Sequence, residues 1–229
     1  PEALTSDDMD ATMALCVGCK GCKRECPTGV DMARMKTEYL YQRRQRHGIS
    51  IRERLVAYLP RYAPAVARWS ALANLRDLVP GMAWLSEKLL GFSRHRRLPR
   101  WRKDVFDERS AIDADADADN TVVLLPDTFN TYFESENLHA AKRVLEAGGY
   151  RVVIARASGD QRPLCCGRTF LASGLLEEAR SEAERTLHAL APYIEAGVAI
   201  VGLEPSCLLT LRDEFQALLP AEQSQAVAP

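Results

Sequence analysis

The sequence lacks any long hydrophobic run. Although 47% of its 229 residues are hydrophobic, no apolar stretch approaches the roughly 18 residues that a helix needs to cross a bilayer. This absence argues against a membrane-spanning protein and favours one that is soluble or at most peripheral to a membrane. The hydrophobic content is sufficient for one large buried core or for two smaller ones.

Signals for secretion and for disulfide crosslinking are also lacking. No secretory signal precedes the cysteines, their total of seven is odd, and closely spaced cysteines pair poorly. We therefore expect reduced thiols in a reducing compartment, the cytoplasm. Histidine is scarce, and its residues share no motif, so we interpret each as a surface or capping residue rather than a metal ligand. They are His47, His95, His139 and His188.

What the sequence does contain is a compact cysteine motif, C-x2-C-x2-C-x3-C-P, formed by Cys16, Cys19, Cys22 and Cys26. Small residues between these cysteines let one loop wrap a [4Fe–4S] cluster and point backbone N–H groups at its sulfides. Pro27 fixes φ after the last cysteine and is predicted to open a helix. In two-cluster ferredoxins the fourth cysteine of this motif binds the other cluster.

Structural zinc is the alternative for this motif. A zinc site usually pairs two C-x2-C knuckles across a longer gap, whereas the second gap here is again two residues. We therefore favour an iron–sulfur cluster and keep a zinc-binding interaction domain as a rival. Lys20, Lys23 and Arg24 would offset the negative charge of a thiolate-bound cluster and raise its potential.

The net charge of −1 conceals two halves of opposite sign. Residues 1–103 contain 20 Lys and Arg against 10 Asp and Glu, whereas residues 104–229 contain 10 against 21. The opposite net charges indicate that the two halves are separate structural regions. We divide the chain into an iron–sulfur helical region (1–48), a helical arm with a basic linker (49–103), an acidic linker (104–120) and an α/β domain (121–229).

The first half is predicted to be helical. Ser6 reads as an N-cap for a short helix that leads to Cys16. A second helix is expected from about Val30 to Gly48. A helical arm over residues 50–90 follows, and its expected breaks are at Pro60, Pro64 and Pro80. The expected apolar, packed side of this arm comprises Leu55, Tyr58, Leu59, Val66, Trp69, Leu72, Leu75 and Leu78.

A basic stretch, Arg94–Lys103, follows the arm. Such a stretch could contact nucleic acid or lipid headgroups. We favour a solvated linker, or a strip that docks an acidic domain, and so expect no nucleic-acid partner. The repetitive Asp-Ala segment 112–120 offers no apolar side chains to bury beyond its first residue and reads as a linker.

The second half alternates strands and helices. Short continuous apolar strands are expected at 122–125, 152–154 and 198–201, and helices at about 134–147, 174–190 and 205–218. Apolar strands joined by helices predict a small parallel α/β sheet that is covered on both faces.

Three further cysteines belong to this half, in Cys165-Cys166-Gly167 and in Glu204-Pro205-Ser206-Cys207. Because the ends of parallel strands converge, Cys166 and Cys207 can face one crevice as a second redox or metal site. Gly167 permits close backbone approach there. The alternative is that these cysteines are simply small buried residues.

These motifs together resemble a known group of proteins. The segments Cys16–Lys36, Asp127–Phe133, Leu164–Arg168 and Gly202–Asp213 are similar to the iron–sulfur and cysteine-rich (CCG) region of fused dehydrogenases for D-2-hydroxy acids, which contain FAD and [4Fe–4S] clusters. Glycolate oxidase, anaerobic glycerol-3-phosphate dehydrogenase and heterodisulfide reductase have related modules. The resemblance implies an overall α/β protein with a ferredoxin-like helical region followed by a CCG domain.

The resemblance also implies a function. In that family a flavin domain takes hydride from a D-2-hydroxy acid, and electrons then pass singly through iron–sulfur centres to an external acceptor, a quinone or a redox protein. We expect this sequence to be part of a longer polypeptide, without catalytic residues of its own, whose partners are a flavin-binding domain and further copies of itself.

Three departures from the family pattern, and two rival functions, accompany this interpretation. The family's other cysteine group does not precede Cys16, and Pro126-Asp127-Thr128 stands where a cysteine often follows the first strand. The usual second CCG half is expected beyond Pro229, so we expect the α/β domain to be truncated here. A thiol-redox module that uses Cys165, Cys166 and Cys207 is one rival. A non-catalytic scaffold or zinc-binding interaction domain is the other.

Overall fold

The computed structural model describes residues 6–108, 120–157 and 162–220. Its first half is helical, as predicted. The helices are α1 (Asp7–Ala14), α2 (Gly21–Glu25), α3 (Met32–His47), α4 (Ile51–Ala57), α5 (Leu59–Ala67), α6 (Ser70–Ala73), α7 (Leu75–Leu78) and α8 (Met82–Leu90). None of the helices in these described ranges is both long and apolar enough to span a bilayer.

Local capping explains where the first helices begin and end. The Ser6 side chain accepts the N–H of Met9 at the start of α1, and Gly48 ends α3 with a positive φ of 71°. The expectation that Pro27 opens a helix is wrong. Pro27 lies in a turn, and α3 begins only at Met32 because Asp31 is its N-cap.

The helical arm departs from two expectations. Pro80 lies at the break between α7 and α8, but Pro60 lies in the first turn of α5, just after the break at Tyr58, and Pro64 lies inside α5.

The expected apolar side is packed only in its first half. Tyr58 packs edge-on against Phe170, whereas Trp69 and Leu72 are 68% and 60% exposed. Small side chains are buried in its place, namely Ala57, Ala63 and Ala67.

The second half is a three-stranded parallel sheet with flanking helices, as predicted. Strands β1 (Thr121–Leu125), β2 (Arg151–Ile154) and β3 (Ala199–Gly202) have the order β2-β1-β3. The helices are α9 (Thr128–Tyr132), α10 (Ser135–Ala147), α11 (Arg168–Leu171), α12 (Leu176–Glu195), α13 (Pro205–Leu209), a π-helical turn (Thr210–Glu214) and α14 (Phe215–Leu218). The short helices α9 and α11 were not predicted.

Alternating side chains of β1 enter two separate cores. Val123 packs with α12 and with Phe215 on one face, whereas Val122 and Leu124 pack with Leu138 on the other. The sheet is therefore covered on both faces. Phe106, which precedes the Asp-Ala segment, is 1% exposed and completes the second core. The Asp-Ala segment itself falls mainly outside the described residues.

The helical half is packed directly against the α/β half. The guanidinium of Arg44 donates to the carbonyl of Ser173 at 2.9 Å and forms two hydrogen bonds with the carboxylate of Glu53, at 2.5 and 2.9 Å. Gly174 lies so close to α3 that a Cβ atom there would be 2.5 Å from the backbone carbonyl carbon of Leu40. This contact requires glycine, both for space and for its φ of 70°.

We expect Gly174→Ala to lower the free energy of unfolding by about 2 to 4 kcal/mol, since it adds a clash to the strain of a positive φ. Gly149→Ala is the matched control, because Gly149 also has a positive φ but its added Cβ would meet nothing within 4 Å. Urea denaturation of the two variants measures the difference. Equal losses in both variants would show that the close contact contributes nothing.

Candidate functional site

The loop that contains the cysteine motif joins α1 to α3. Cys16 and Cys26 flank the short helix α2, Cys22 lies within it, and Cys19 is exposed. Lys20 precedes α2 with a φ of 58°, and it is the sole non-glycine residue with a left-handed backbone within the described ranges. A left-handed lysine costs free energy, so contacts elsewhere must hold this loop in place.

Two sulfur atoms of the motif accept or share hydrogen bonds. The backbone N–H of Met32 donates to Cys22 Sγ at 3.4 Å, and Cys26 Sγ lies 3.1 Å from the hydroxyl of Thr28. The hydrogen bond with Thr28, followed by the backbone amides of Val30 and Thr28, lowers the pKa of Cys26 to about 7. These contacts stabilise the thiolate form, which is the form that binds metals.

The chemistry of this loop suits an iron–sulfur cluster. The loop offers four thiols, an N–H donor to sulfur and nearby lysines, as a thiolate-bound cluster requires. Across residues 6–108, 120–157 and 162–220, no three His, Cys, Asp or Glu side chains are already gathered as a metal site. The assignment of Cys16, Cys19, Cys22 and Cys26 as ligands stays a prediction.

The second cysteine set is a close pair of thiols. Cys166 Sγ and Cys207 Sγ are 3.2 Å apart, and Cys207 is the more exposed of the two. Cys165 is buried next to them, and its sulfur accepts the N–H of Gly167 at 3.4 Å. A hydrogen bond with Cys165 lowers the pKa of Cys166. The hydrogen bond with Cys207 and burial outweigh it, so the pKa of Cys166 lies well above its ordinary value.

Parallel topology explains why these cysteines meet. Cys166 lies in the connection that follows β2, and Cys207 lies at the start of α13, after β3. Gly167 has a φ of 77°, and a Cβ atom there would lie 2.9 Å from the carbonyl oxygen of Ala179, so only glycine fits against α12. Glu204 accepts the N–H and the hydroxyl of Ser206 as the N-cap of α13.

Ion pairs connect the cysteine loop to the α/β half. Lys20 contacts Asp213 at 2.5 Å and Glu214 at 3.0 Å, and Lys23 contacts Asp213 at 3.0 Å. Arg168 forms an ion pair with Glu214 at 3.0 Å and donates to the carbonyl of Gly18 at 3.4 Å. The motif loop is therefore docked beside the second cysteine set.

Lys20 and Lys23 were expected from the sequence to offset the charge of a cluster. Their partners Asp213 and Glu214, and Arg168, were not expected to anchor the loop. Arg168 comes two residues after Cys166, and the two carboxylates lie on the helical stretch that begins near Cys207. The sequence feature that points to this contact is the opposite net charge of the two halves. It predicts attraction between them, but it does not identify which residues pair.

The four histidines fit their predicted roles unequally. His139 Nδ1 lies 3.1 Å from a carboxylate oxygen of Glu108, and its ring packs against Phe106. It therefore supports packing at the edge of the second core. His47 lies at the exposed end of α3, and His95 lies in the exposed basic stretch.

The basic stretch is mostly solvated. Arg96, Arg97 and Arg100 are exposed. Its C-terminal end contacts the α/β half, where Arg102 forms ion pairs with Asp104 at 2.8 Å and with Glu136 at 3.5 Å.

Comparison with known proteins points to dehydrogenases of D-2-hydroxy acids. The chain is 26% identical, over 96% of its length, to D-2-hydroxyglutarate dehydrogenase of Escherichia coli. It is 27% identical over 98% to the enzyme of that name from Pseudomonas putida, and 23% identical over 93% to that of Pantoea ananatis. The resemblance predicted from the cysteine motifs is confirmed.

The similarity concerns one part of these relatives. The chain spans 21 to 24% of their length. No protein-family model and no solved structure matches the chain.

The ion pairs that anchor the loop lead to a prediction for Asp213. Burial disfavours its charge, but hydrogen bonds from Lys20 and Lys23 prevail and lower its pKa. The contribution of this carboxylate to stability is therefore present at neutral pH and is lost as the pH falls below the ordinary carboxylate value.

We expect Asp213→Asn to lower the unfolding temperature at pH 7 by a few degrees, since the pair is partly exposed and worth about 1 kcal/mol. The difference from the wild type should shrink as the pH is lowered toward 3. Glu177→Gln is the control, because the Glu177 carboxylate is largely exposed and pairs with Arg180, at 3.5 Å, rather than with a residue of the motif loop. A difference independent of pH would contradict an ionic role for Asp213.

Proposed function

We propose that this chain is the electron-transfer part of a flavin-linked dehydrogenase that oxidises a D-2-hydroxy acid. In this proposal FAD is bound by a part of the protein outside this sequence. Electrons leave the reduced flavin through a [4Fe–4S] cluster in the motif loop and reach an external acceptor, a quinone or a redox protein. The similarity to D-2-hydroxyglutarate dehydrogenases over 93 to 98% of the chain is the observation that carries the proposal.

The motif loop has the properties that this role needs. We assign Cys16, Cys19, Cys22 and Cys26 as cluster ligands in a ferredoxin-like helical region. When bound, a [4Fe–4S] cluster accepts and passes single electrons, whereas a flavin takes two at once. The residues of this chain would position the cluster and tune it through the N–H group of Met32, while Lys20 and Lys23, paired with Asp213 and Glu214, would hold the loop in place.

The proposal assigns no catalytic acid or base to this chain. Hydride removal from the substrate belongs to the flavin-containing part, and the role of this chain is transfer. We place the protein in the cytoplasm, at most peripheral to a membrane, because thiols persist in a reducing compartment. This leaves the acceptor free to be membrane-bound or soluble.

The helical arm offers a surface for the flavin-containing part. Side chains exposed by more than half include Trp69, Leu72, Leu78 and Leu89, all between α5 and the end of α8. Several large apolar side chains exposed along one segment are typical of an interaction site. Because the chain spans less than a quarter of its relatives' length, we propose the remainder of the same polypeptide as the occupant.

Replacing one ligand tests the cluster. In full-length protein prepared without oxygen, we expect Cys19→Ser to lose more than half of the iron and acid-labile sulfide of the motif cluster, with the matching visible absorbance. Flavin reduction by substrate should persist, while transfer to the acceptor falls at least tenfold. Val17→Ala in the same loop, exposed at 84%, is the control.

Three results would count against this assignment. Zinc in place of iron would favour the interaction-domain rival. A wild-type protein without iron, or a Cys19→Ser variant with unchanged iron, would remove the motif loop from the electron path.

Footprinting with hydroxyl radicals tests the arm surface. We expect Trp69 and Trp84 to react at least fivefold more slowly in the full-length protein than in this 229-residue chain, because the flavin-containing part would cover them. Val144, 70% exposed on α10, should react equally in both. Equal rates at the tryptophans, or protection that depends on protein concentration, would contradict this occupant.

A further inference from the structure

Cys166 and Cys207 are close enough to form a bond with little movement. Their sulfur atoms are 3.2 Å apart, and a disulfide needs about 2.05 Å. The approach required is therefore about 1 Å, which side-chain rotation can supply. Cys165 differs from these two cysteines. Its sulfur accepts the backbone N–H of Gly167, its side chain is buried, and its carbonyl accepts the hydroxyl of Thr186 on α12.

Both cysteines are held by well-packed backbone. On the Cys166 side, Gly167 lies against Ala179, and Thr186 donates its hydroxyl to the Cys165 carbonyl at 2.9 Å. On the Cys207 side, Glu204 caps α13, and Gly202 lies against Leu208. The short sulfur–sulfur distance therefore results from packing that does not involve the motif loop.

Accessibility gives the two thiols different roles. Cys166 is 6% exposed, whereas Cys207 is only partly buried. A small oxidant can therefore reach Cys207 first, and Cys166 is positioned to react with it in a second step. This asymmetry is typical of an attacking and a resolving cysteine.

We propose that Cys166 and Cys207 are a reversible dithiol–disulfide couple that exchanges with low-molecular-weight disulfides. This inference goes beyond the proposed electron-transfer function, because it does not depend on a cluster in the motif loop.

The exchange balances in two steps. The Cys207 thiolate attacks a sulfur of the small disulfide, which gives a mixed disulfide and releases one small thiol. Cys166 then loses its proton and attacks the sulfur of Cys207, which forms the Cys166–Cys207 bond and releases the second small thiol. Two protein thiols lose two electrons and two protons in total, and the small disulfide gains them. Excess dithiol reverses both steps.

The bond would connect the two elements that hold the motif loop. Arg168 lies two residues after Cys166, and Asp213 and Glu214 lie on the helical stretch that follows Cys207. Arg168 and Glu214 already contact each other at 3.0 Å. Oxidation would therefore fix the docking surface of the loop in one arrangement.

Peptide mapping tests the couple. Full-length protein is treated with glutathione disulfide, alkylated, digested with trypsin and analysed by mass spectrometry. We expect peptide 157–168 linked to peptide 186–212, two hydrogen masses below the sum of the free peptides. Cys166→Ser and Cys207→Ser should each lower the linked species at least tenfold, and Cys165→Ser, the matched control, should retain it. Dithiothreitol should return the wild type to free thiols.

The same variants show whether these cysteines bind metal instead. If Cys166 and Cys207 are a dithiol–disulfide couple and not metal ligands, the Cys166→Ser and Cys207→Ser variants should contain as much iron as Cys165→Ser. The proposal is overturned if these two variants lose iron relative to the control, if the linked species is absent from the wild type, or if it is formed through Cys165. Failure of the proposed electron-transfer function gives a different result, because the iron content of Cys19→Ser would then equal that of the wild type.

Discussion

The ionic contact between the motif loop and the α/β half is the interaction on which the arrangement of this protein depends. Lys20 and Lys23 on the loop, with Arg168 on the other side, share the carboxylates of Asp213 and Glu214. Within α3, Lys36 donates to the Cys16 carbonyl and Met32 donates to Cys22, but these ionic contacts are what join the loop to the α/β half. With them, four cysteines are fixed beside a second set of three.

This arrangement separates two kinds of sulfur chemistry. The motif thiols are at least partly exposed, and the hydrogen bonds to Cys26 lower its pKa and favour its thiolate. Cys166 is buried, and its pKa is raised, so its thiol form is favoured. The first environment suits metal ligands in an electron path, and the second suits a protected thiol that reacts with one partner.

The sequence predicted most of the fold because local signals and burial agreed there. The three strands are short continuous apolar runs, and Ser6 and Gly48 mark helix ends in the usual way. The arm was different, since its large apolar side chains, such as Trp69 and Leu78, are exposed and its alanines are buried. Periodicity reports which face is apolar, but it does not report whether this chain supplies the partner for that face.

For the candidate site, the cysteines were predictable and their anchors were not. The spacing of Cys16 to Cys26 is a local pattern with known chemistry, and parallel topology predicted that Cys166 and Cys207 could share a crevice. Arg168, Asp213 and Glu214 belong to no such pattern. Lys20 pairs with Asp213 and Glu214 across more than 190 residues of sequence, and Arg168 reaches the Gly18 carbonyl across 150. These contacts depend on how the two halves pack, which no local rule describes.

Electron transfer through the motif loop is the central claim, and electron paramagnetic resonance at low temperature tests it most directly. Full-length protein prepared without oxygen would be reduced with a D-2-hydroxy acid such as D-2-hydroxyglutarate and then frozen. The account predicts the signal of a reduced [4Fe–4S] cluster, present with substrate and absent without it. A flavin that is reduced by substrate while no cluster signal develops would contradict it.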